Sequence, residues 1–63
     1  LTAREHELLD LMAQGRDNAQ LAATLHLSDN TVRNHITNIF AKLEADNRAR
    51  AIAMARHAGL GTG

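Results

Sequence analysis

The segment from Asp17 to Leu43 constrains the fold most, because it predicts two short helices joined by a sharp turn. In its second half, apolar side chains recur at the helical period and form one stripe along a helix. The stripe consists of Val32, Ile36, Ile39, Phe40 and Leu43. Because a helix with one apolar face packs that face on a core, the other helices must supply the opposite side of that core.

Each of the predicted helices begins at a residue that can accept a hydrogen bond from an unpaired backbone amide. The first two starts also match the capping box, in which a Glu or Gln three residues later reaches back to the cap. The predicted N-caps are Thr2, Asp17, Ser28 and Asn47. We therefore predict an all-α, compact four-helix domain with a central helix-turn-helix and helices at residues 3–14, 18–25, 29–43 and 48–58.

Helix ends are marked by Gly15 and Gly59, which can adopt the left-handed conformation that closes a helix. In the turn between the second and third helices, His26 lies where a positive φ is often needed. Histidine tolerates that conformation better than most side chains. A turn of about three or four residues between two short helices is typical of a helix-turn-helix motif.

The opposite face of the third helix carries hydrogen-bonding side chains. They are Asn30, Asn34, Thr37 and Asn38, with Arg33 on one flank. In a DNA major groove, Asn can pair with adenine, Arg with guanine, and a Thr methyl can contact the thymine methyl. A helix of about 22 Å is long enough to lie in that groove. A merely solvated surface would explain the same residues, so this face alone leaves both interpretations open.

Composition restricts the classes of function. The 63 residues include no Cys and no Pro, so neither a disulfide nor a thiolate metal site supports a core close to the lower size limit. No apolar run reaches membrane-spanning length, and no signal peptide is visible. The histidines lack H-x-x-x-H spacing, and no nucleophile–base pair is suggested. We therefore predict no enzyme, no cofactor and no metal site.

Charge is balanced in total but unevenly distributed. The 7 Lys and Arg residues equal the 7 Asp and Glu residues, which argues against a purely electrostatic nucleic-acid binder. The first helix is acidic, whereas residues 28–63 are mildly basic. We interpret this distribution as weak DNA affinity of one copy, which depends on a second copy or a partner domain.

The last helix has an outward face of small side chains on which a second copy could pack. Ala49 and Ala53 lie one turn apart on this face, beside Arg56 and His57. Alanines bury little area, so such a dimer would be weak in isolation, and an exposed face of good helix formers is the alternative. The inward face is predicted to hold Ala51, Ile52, Ala55 and Ala58.

A partly buried ion pair between Glu5 and Arg48 is predicted to link the first helix to the last. Both residues lie on the sides of their helices that face the core. The equal alternative is that Glu5 serves only its capping box.

A set of fixed spacings extends over nearly the whole chain. It comprises Leu1-Thr2-x-Arg4-Glu5, Ala13-x-Gly15-x-x-Asn18, Leu21-Ala22, Leu25-x-Leu27-Ser28-x-x-Thr31-Val32-x-x-His35, Ile39-x-x-Lys42-Leu43, Arg48, Ala51 and Gly59-Leu60. With these spacings the chain resembles the LuxR-type (GerE-like) helix-turn-helix family. The resemblance implies four helices, of which the central two are scaffold and recognition helices and the fourth usually forms the dimer. Such domains serve bacterial transcription regulators, often behind a phosphorylated receiver domain or a small-signal sensor domain.

The resemblance also implies roles for individual residues. Together with the helical face, it predicts base contacts by Asn30, Arg33, Asn34, Thr37 and Asn38. It implies phosphate contacts by Asn18, Ser28, Thr31, His35 and Lys42. The implied dimer interface is Ala49 and Ala53, with Arg56 and His57 beside them. The chain departs from the family in having Ala3 for a common Pro, Ala19-Gln20 for Lys-Glu, and Thr37 where Lys or Arg is frequent, and the lost positive charges bear on affinity.

The implied function is sequence-specific DNA binding by the output domain of a two-component response regulator. We expect a domain at residues 1–60, a flexible tail at 61–63, and a longer regulator of which this is the C-terminal part. Expected partners are the major groove of double-stranded DNA at two half-sites, a second copy through the last helix, and RNA polymerase, with no membrane. The expected location is the bacterial cytoplasm, at the nucleoid. The alternatives are the output domain of a small-signal (quorum-type) regulator and a helix-turn-helix used only for protein contact.

Overall fold

The computed structural model describes residues 1–62 as four helices without a strand. The helices are α1 (Ala3–Ala13), α2 (Asn18–Leu25), α3 (Asp29–Leu43) and α4 (Arg48–His57). The predicted all-α fold is confirmed, and every predicted boundary agrees within one residue. Within the same residues, no helix is both long and apolar enough to cross a lipid bilayer.

The predicted N-caps are confirmed because each cap side chain accepts a hydrogen bond from a backbone amide in the first turn of its helix. The Thr2 hydroxyl accepts from the Glu5 amide at 3.1 Å, and the Glu5 carboxylate accepts from the Thr2 amide at 2.8 Å. Asp17 and Gln20 form the same reciprocal pair at 2.9 and 2.8 Å. The caps of α3 and α4 are Ser28 and Asn47.

The core lies where α1 packs against α3 and α4, while α2 packs on α3 and α1. Its buried apolar side chains are Leu8, Leu9, Met12, Ala13, Leu21, Val32, Ile36, Ile39, Ala51 and Ala55. In the predicted α3 stripe, Phe40 and Leu43 are half-buried and the other members are buried. The predicted inward position of Ala58 is wrong: Ala58 is the C-cap residue beyond α4 and is exposed.

Left-handed backbone conformations end the two central helices. His26 follows α2 with φ 57°, as predicted for the turn. Glu44 follows α3 with φ 55°, which was not predicted because Glu has no preference for this conformation. Three residues, 26–28, separate α2 from α3, and the left-handed His26 turns the chain so that α3 can begin at Asp29.

Gly61, which was predicted to belong to a flexible tail, packs against α1. Its amide donates to the Asp10 carboxylate at 2.7 Å, and its φ is +77°. A Cβ at this position would lie 2.6 Å from the Cβ of Ala13, so only glycine fits against α1. Gly63, the last residue of the predicted tail, lies outside the described residues.

The left-handed conformation of His26 predicts that His26→Gly stabilises the fold. We expect the free energy of unfolding to rise by roughly 0.5–1 kcal/mol. Glycine has no Cβ, so the strain of the left-handed conformation disappears. The larger conformational entropy of glycine in the unfolded state offsets part of this stabilisation. Urea denaturation followed by circular dichroism measures the change. As a control, His6→Gly, on the exposed side of α1, should lower stability by about 1 kcal/mol. A loss of stability in His26→Gly would contradict the role of the turn.

Candidate nucleic-acid interface

The helix-turn-helix pair orients α3 so that one side is buried and the other is open. Leu21 of α2 and Val32 of α3 both have no exposed surface, and Ile39 on α3 is likewise completely buried. The residues on the opposite side of α3 therefore face solvent. Fifteen residues make α3 the longest of the helices within residues 1–62.

All five predicted base-contacting residues are exposed on α3, namely Asn30, Arg33, Asn34, Thr37 and Asn38. The Thr37 hydroxyl donates to the Arg33 carbonyl oxygen at 3.0 Å, so its proton is used within the helix. The methyl group of Thr37 remains available for an apolar contact such as a thymine methyl. Ala41 is also exposed and small, which permits close approach of the helix to a surface.

The predicted phosphate-contacting residues differ in whether their side-chain polar atoms already have hydrogen-bond partners within the domain. Ser28 and Thr31 bond to each other through their hydroxyls at 2.9 Å, and the Ser28 hydroxyl also caps α3. The His35 side chain is half-buried and forms no hydrogen bond with residues 1–62. Asn18 and Lys42 are both engaged with side chains of other helices. They are therefore held in place rather than freely mobile on the surface.

The predicted Glu5–Arg48 pair is wrong, because Glu5 pairs with Lys42. The Lys42 ammonium lies 2.7 Å from a Glu5 carboxylate oxygen, and the Glu5 side chain is 4% exposed. That same oxygen accepts the Thr2 amide, so Glu5 serves its capping box and the ion pair together. The Lys42 side chain is 48% exposed, and two of its three N–H donors are left for solvent or an anion.

Arg48 instead joins the start of α4 to the start of α2. One guanidinium N–H donates to the Asn18 side-chain oxygen at 2.7 Å, and another donates to the Arg16 carbonyl oxygen at 2.8 Å. Both acceptors are neutral oxygens, so no carboxylate offsets the charge of Arg48 in these two bonds. The pair was not predicted, since nothing in the spacing of Asn18 and Arg48 indicates contact.

The predicted dimer face of α4 is exposed at Ala49, Ala53 and His57. Arg56 is exposed too, but its Nε donates to the carbonyl oxygen of Ala13 at 3.0 Å, at the end of α1. A shallow cavity of about 360 Å³ lies on this face and is lined by Arg50, Ala53, Met54 and His57. Arg50 and Met54 were missed, although their spacing from Ala53 and His57 already places them on the same side of a helix.

No group of three or more His, Asp and Glu side chains that could hold a metal ion occurs in the part of the chain that the structure describes.

Two capped helices joined through a left-handed residue, the second with one buried and one open polar side, form a helix-turn-helix, the motif of many DNA-binding domains. A family model described as bacterial regulatory proteins, luxR family, matches residues 1–55. The chain belongs to this family.

Relatives with known names and structures agree with this assignment. The probable transcriptional regulatory protein SgaR of Hyphomicrobium methylovorum is 50% identical over 54 residues, which are 86% of this chain and 26% of SgaR. The response regulator protein VraR of Staphylococcus aureus is 42% identical over 55 residues, 87% of this chain and 26% of VraR. The crystal structure of the response regulator ChrA, from a heme-sensing two-component system, matches with a TM-score of 0.86 and 47% identity. That match covers 94% of this chain and 29% of ChrA. The chain thus spans less than a third of each relative's length.

The Glu5–Lys42 pair predicts a loss of stability in acid. The hydrogen bond from Lys42, followed by that from the Thr2 amide, lowers the pKa of Glu5 from 4.5 to about 2. A depressed folded-state pKa contributes stability that is present above the unfolded pKa and is lost as the pH falls through the folded one. We therefore expect the free energy of unfolding to fall between pH 4.5 and pH 2. Urea titrations across this range measure the decline.

A matched pair of variants isolates this contribution. Glu5→Gln should flatten the decline because the titrating group is gone, whereas Glu7→Gln, an exposed position on α1, should leave it unchanged. Equal profiles for the two variants would exclude Glu5 as its source.

Proposed function

We propose that this domain is the DNA-binding output domain of a bacterial response regulator and that it places α3 in the major groove. The observation that carries the proposal is the row of exposed Asn, Arg and Thr side chains on a helix whose other side is buried. Such side chains can bond to base edges, whereas a helix selected only for solubility would favour Glu, Lys and Ala. The response regulators VraR and ChrA, which are similar to this chain, support the two-component context.

Base contacts come from Asn30, Arg33, Asn34, Thr37 and Asn38 in this proposal. The asparagines, on three successive turns, favour adenine, and Arg33 favours guanine. Contacts to the DNA backbone come from Asn18, Ser28, Thr31, His35 and Lys42. Lys42 contacts a phosphate without leaving Glu5, because an ammonium group has three donors.

The proposed binding unit is a homodimer that forms through α4 and contacts two half-sites. The net charge of zero limits how strongly one copy binds DNA by electrostatics. Pairing two copies raises affinity through the effective concentration of the second contact. The second copy would pack on the small side chains of Ala49 and Ala53 and on the adjoining cavity, beside Arg56 and His57. RNA polymerase is a further proposed partner, and the proposed place of action is the cytoplasm, at the nucleoid.

The balanced charge also supports a second candidate function, a helix-turn-helix used only for protein contact. Salt dependence separates the two. We expect the chain to retain duplex DNA at low ionic strength and to lose it steeply as salt is raised, because binding releases counterions from phosphates. Fluorescence anisotropy with a labelled duplex pool measures retention. A chain that retains no duplex DNA at low salt would contradict DNA binding and favour the protein-only function.

Asn34→Ala should relax the base preference at one position of the bound sequence. The loss of a bidentate contact with a base is worth about 1–3 kcal/mol at that position, while other positions keep their preference. Selection from a random duplex pool, followed by sequencing, reports the preference of each variant. Gln14→Ala, which also removes a side-chain amide but at the exposed C-cap residue beyond α1, is the control. A motif identical to that of the unaltered chain would remove Asn34 from the base-contacting set.

A further inference from the structure

We infer that Arg48 is a positioning residue, which fixes the side-chain amide of Asn18 so that its N–H donors face the DNA backbone. This inference rests on the proposed function. With this inference, Arg48 of α4 contributes to DNA binding through Asn18, although α4 lies outside the helix-turn-helix pair.

Arg48 connects two helices that do not otherwise approach. No Cα atom of α2 lies within 8 Å of a Cα atom of α4. The long Arg48 side chain crosses this gap and bonds to Asn18 at 2.7 Å and to the Arg16 carbonyl at 2.8 Å. Two N–H groups of one planar guanidinium donate these bonds. They therefore fix the positions of Arg16, in the loop before α2, and Asn18, the first residue of α2, relative to each other.

The chemistry of guanidinium decides which way the Asn18 amide points. A guanidinium group has only donors, so the atom of Asn18 that faces it must be the oxygen. The amide nitrogen is then on the other branch of the side chain, and it forms no hydrogen bond with residues 1–62. Phosphate oxygens are acceptors only. An Asn held in this orientation therefore presents the group that a DNA backbone requires.

Charge at this place favours an anion as well. Arg48 forms no salt bridge with residues 1–62, and its two acceptors are neutral oxygens. The neighbouring side chain of Arg16 is exposed. Asp17 caps α2 and Asp46 lies two residues before Arg48, and neither carboxylate forms a salt bridge with the Arg48 guanidinium within residues 1–62. The positive charge of Arg48 therefore acts beside the free donors of Asn18.

The variant Asn18→Asp separates the two functions of the Asn18 side chain. Aspartate keeps an oxygen for Arg48, so the fold should be as stable as before, but it has no N–H donor and repels phosphate. We expect the affinity for duplex DNA to fall about tenfold or more, alike for all sequences, while urea denaturation shows no loss of stability. Gln20→Glu is the control, because it adds the same charge to α2, preserves the capping box and does not touch Arg48.

A double-mutant cycle tests whether Arg48 acts through Asn18. Arg48→Lys keeps the positive charge and loses the planar guanidinium that donates both hydrogen bonds. Measured where all variants are fully folded, it should lower DNA affinity several-fold with Asn18 present and have no effect in the Asn18→Ala background. A purely structural role would lower stability in both backgrounds and leave the affinity of the folded protein unchanged.

The outcomes distinguish the inference from the proposed function. If the unaltered chain binds DNA, the inference is overturned when Asn18→Asp binds as tightly as Gln20→Glu. It is also overturned when Arg48→Lys leaves affinity unchanged with Asn18 present, or lowers it equally in both backgrounds. If the unaltered chain retains no DNA at low salt, the proposed function fails first and the inference fails with it.

Discussion

Burial of the apolar stripe on α3 is the constraint on which the rest of the structure depends. Val32 and Ile39 have no exposed surface, and Ile36 is 8% exposed. Rotating α3 about its axis would bring asparagine side chains into the core, where unbonded polar groups are costly. The packing that holds the domain together therefore also directs the polar side of α3 outward. Stability and the proposed DNA contact depend on the same orientation of one helix.

Two cationic side chains connect the helices, and they differ in what happens to their charge. Lys42 meets a carboxylate, so much of its field is cancelled, and the main effect is to hold the end of α3 on α1. Arg48 bonds to two neutral oxygens, so no salt bridge within residues 1–62 offsets its charge. The net charge of the chain is zero, so its attraction for an anion depends on where cations without a nearby carboxylate lie, more than on the total number of cations. The uncompensated charge of Arg48 lies at the start of α2, outside α3.

The candidate site was predictable where it depends on one helix. The exposure of Asn34 and its neighbours follows from the period of the apolar residues, since the side opposite a buried stripe must face water. The state of each polar atom was not predictable. The Thr37 proton is used by the Arg33 carbonyl, and the Asn18 oxygen is used by Arg48. Both facts depend on side-chain rotamers that the spacing of residues does not specify.

The sequence by itself determined the helices, their caps, the left-handed turn at His26 and the two sides of α3, because each depends on residues within about one or two helical turns. Only the tertiary structure decided which cation pairs with Glu5, what Arg48 holds, and that Arg56 and Gly61 rest on α1. These contacts join residues 30 to 51 positions apart. Whether such a contact forms depends on shifts of a few ångströms in how the helices pack. A helical period predicts the side of the helix on which a residue lies but not the residue it contacts.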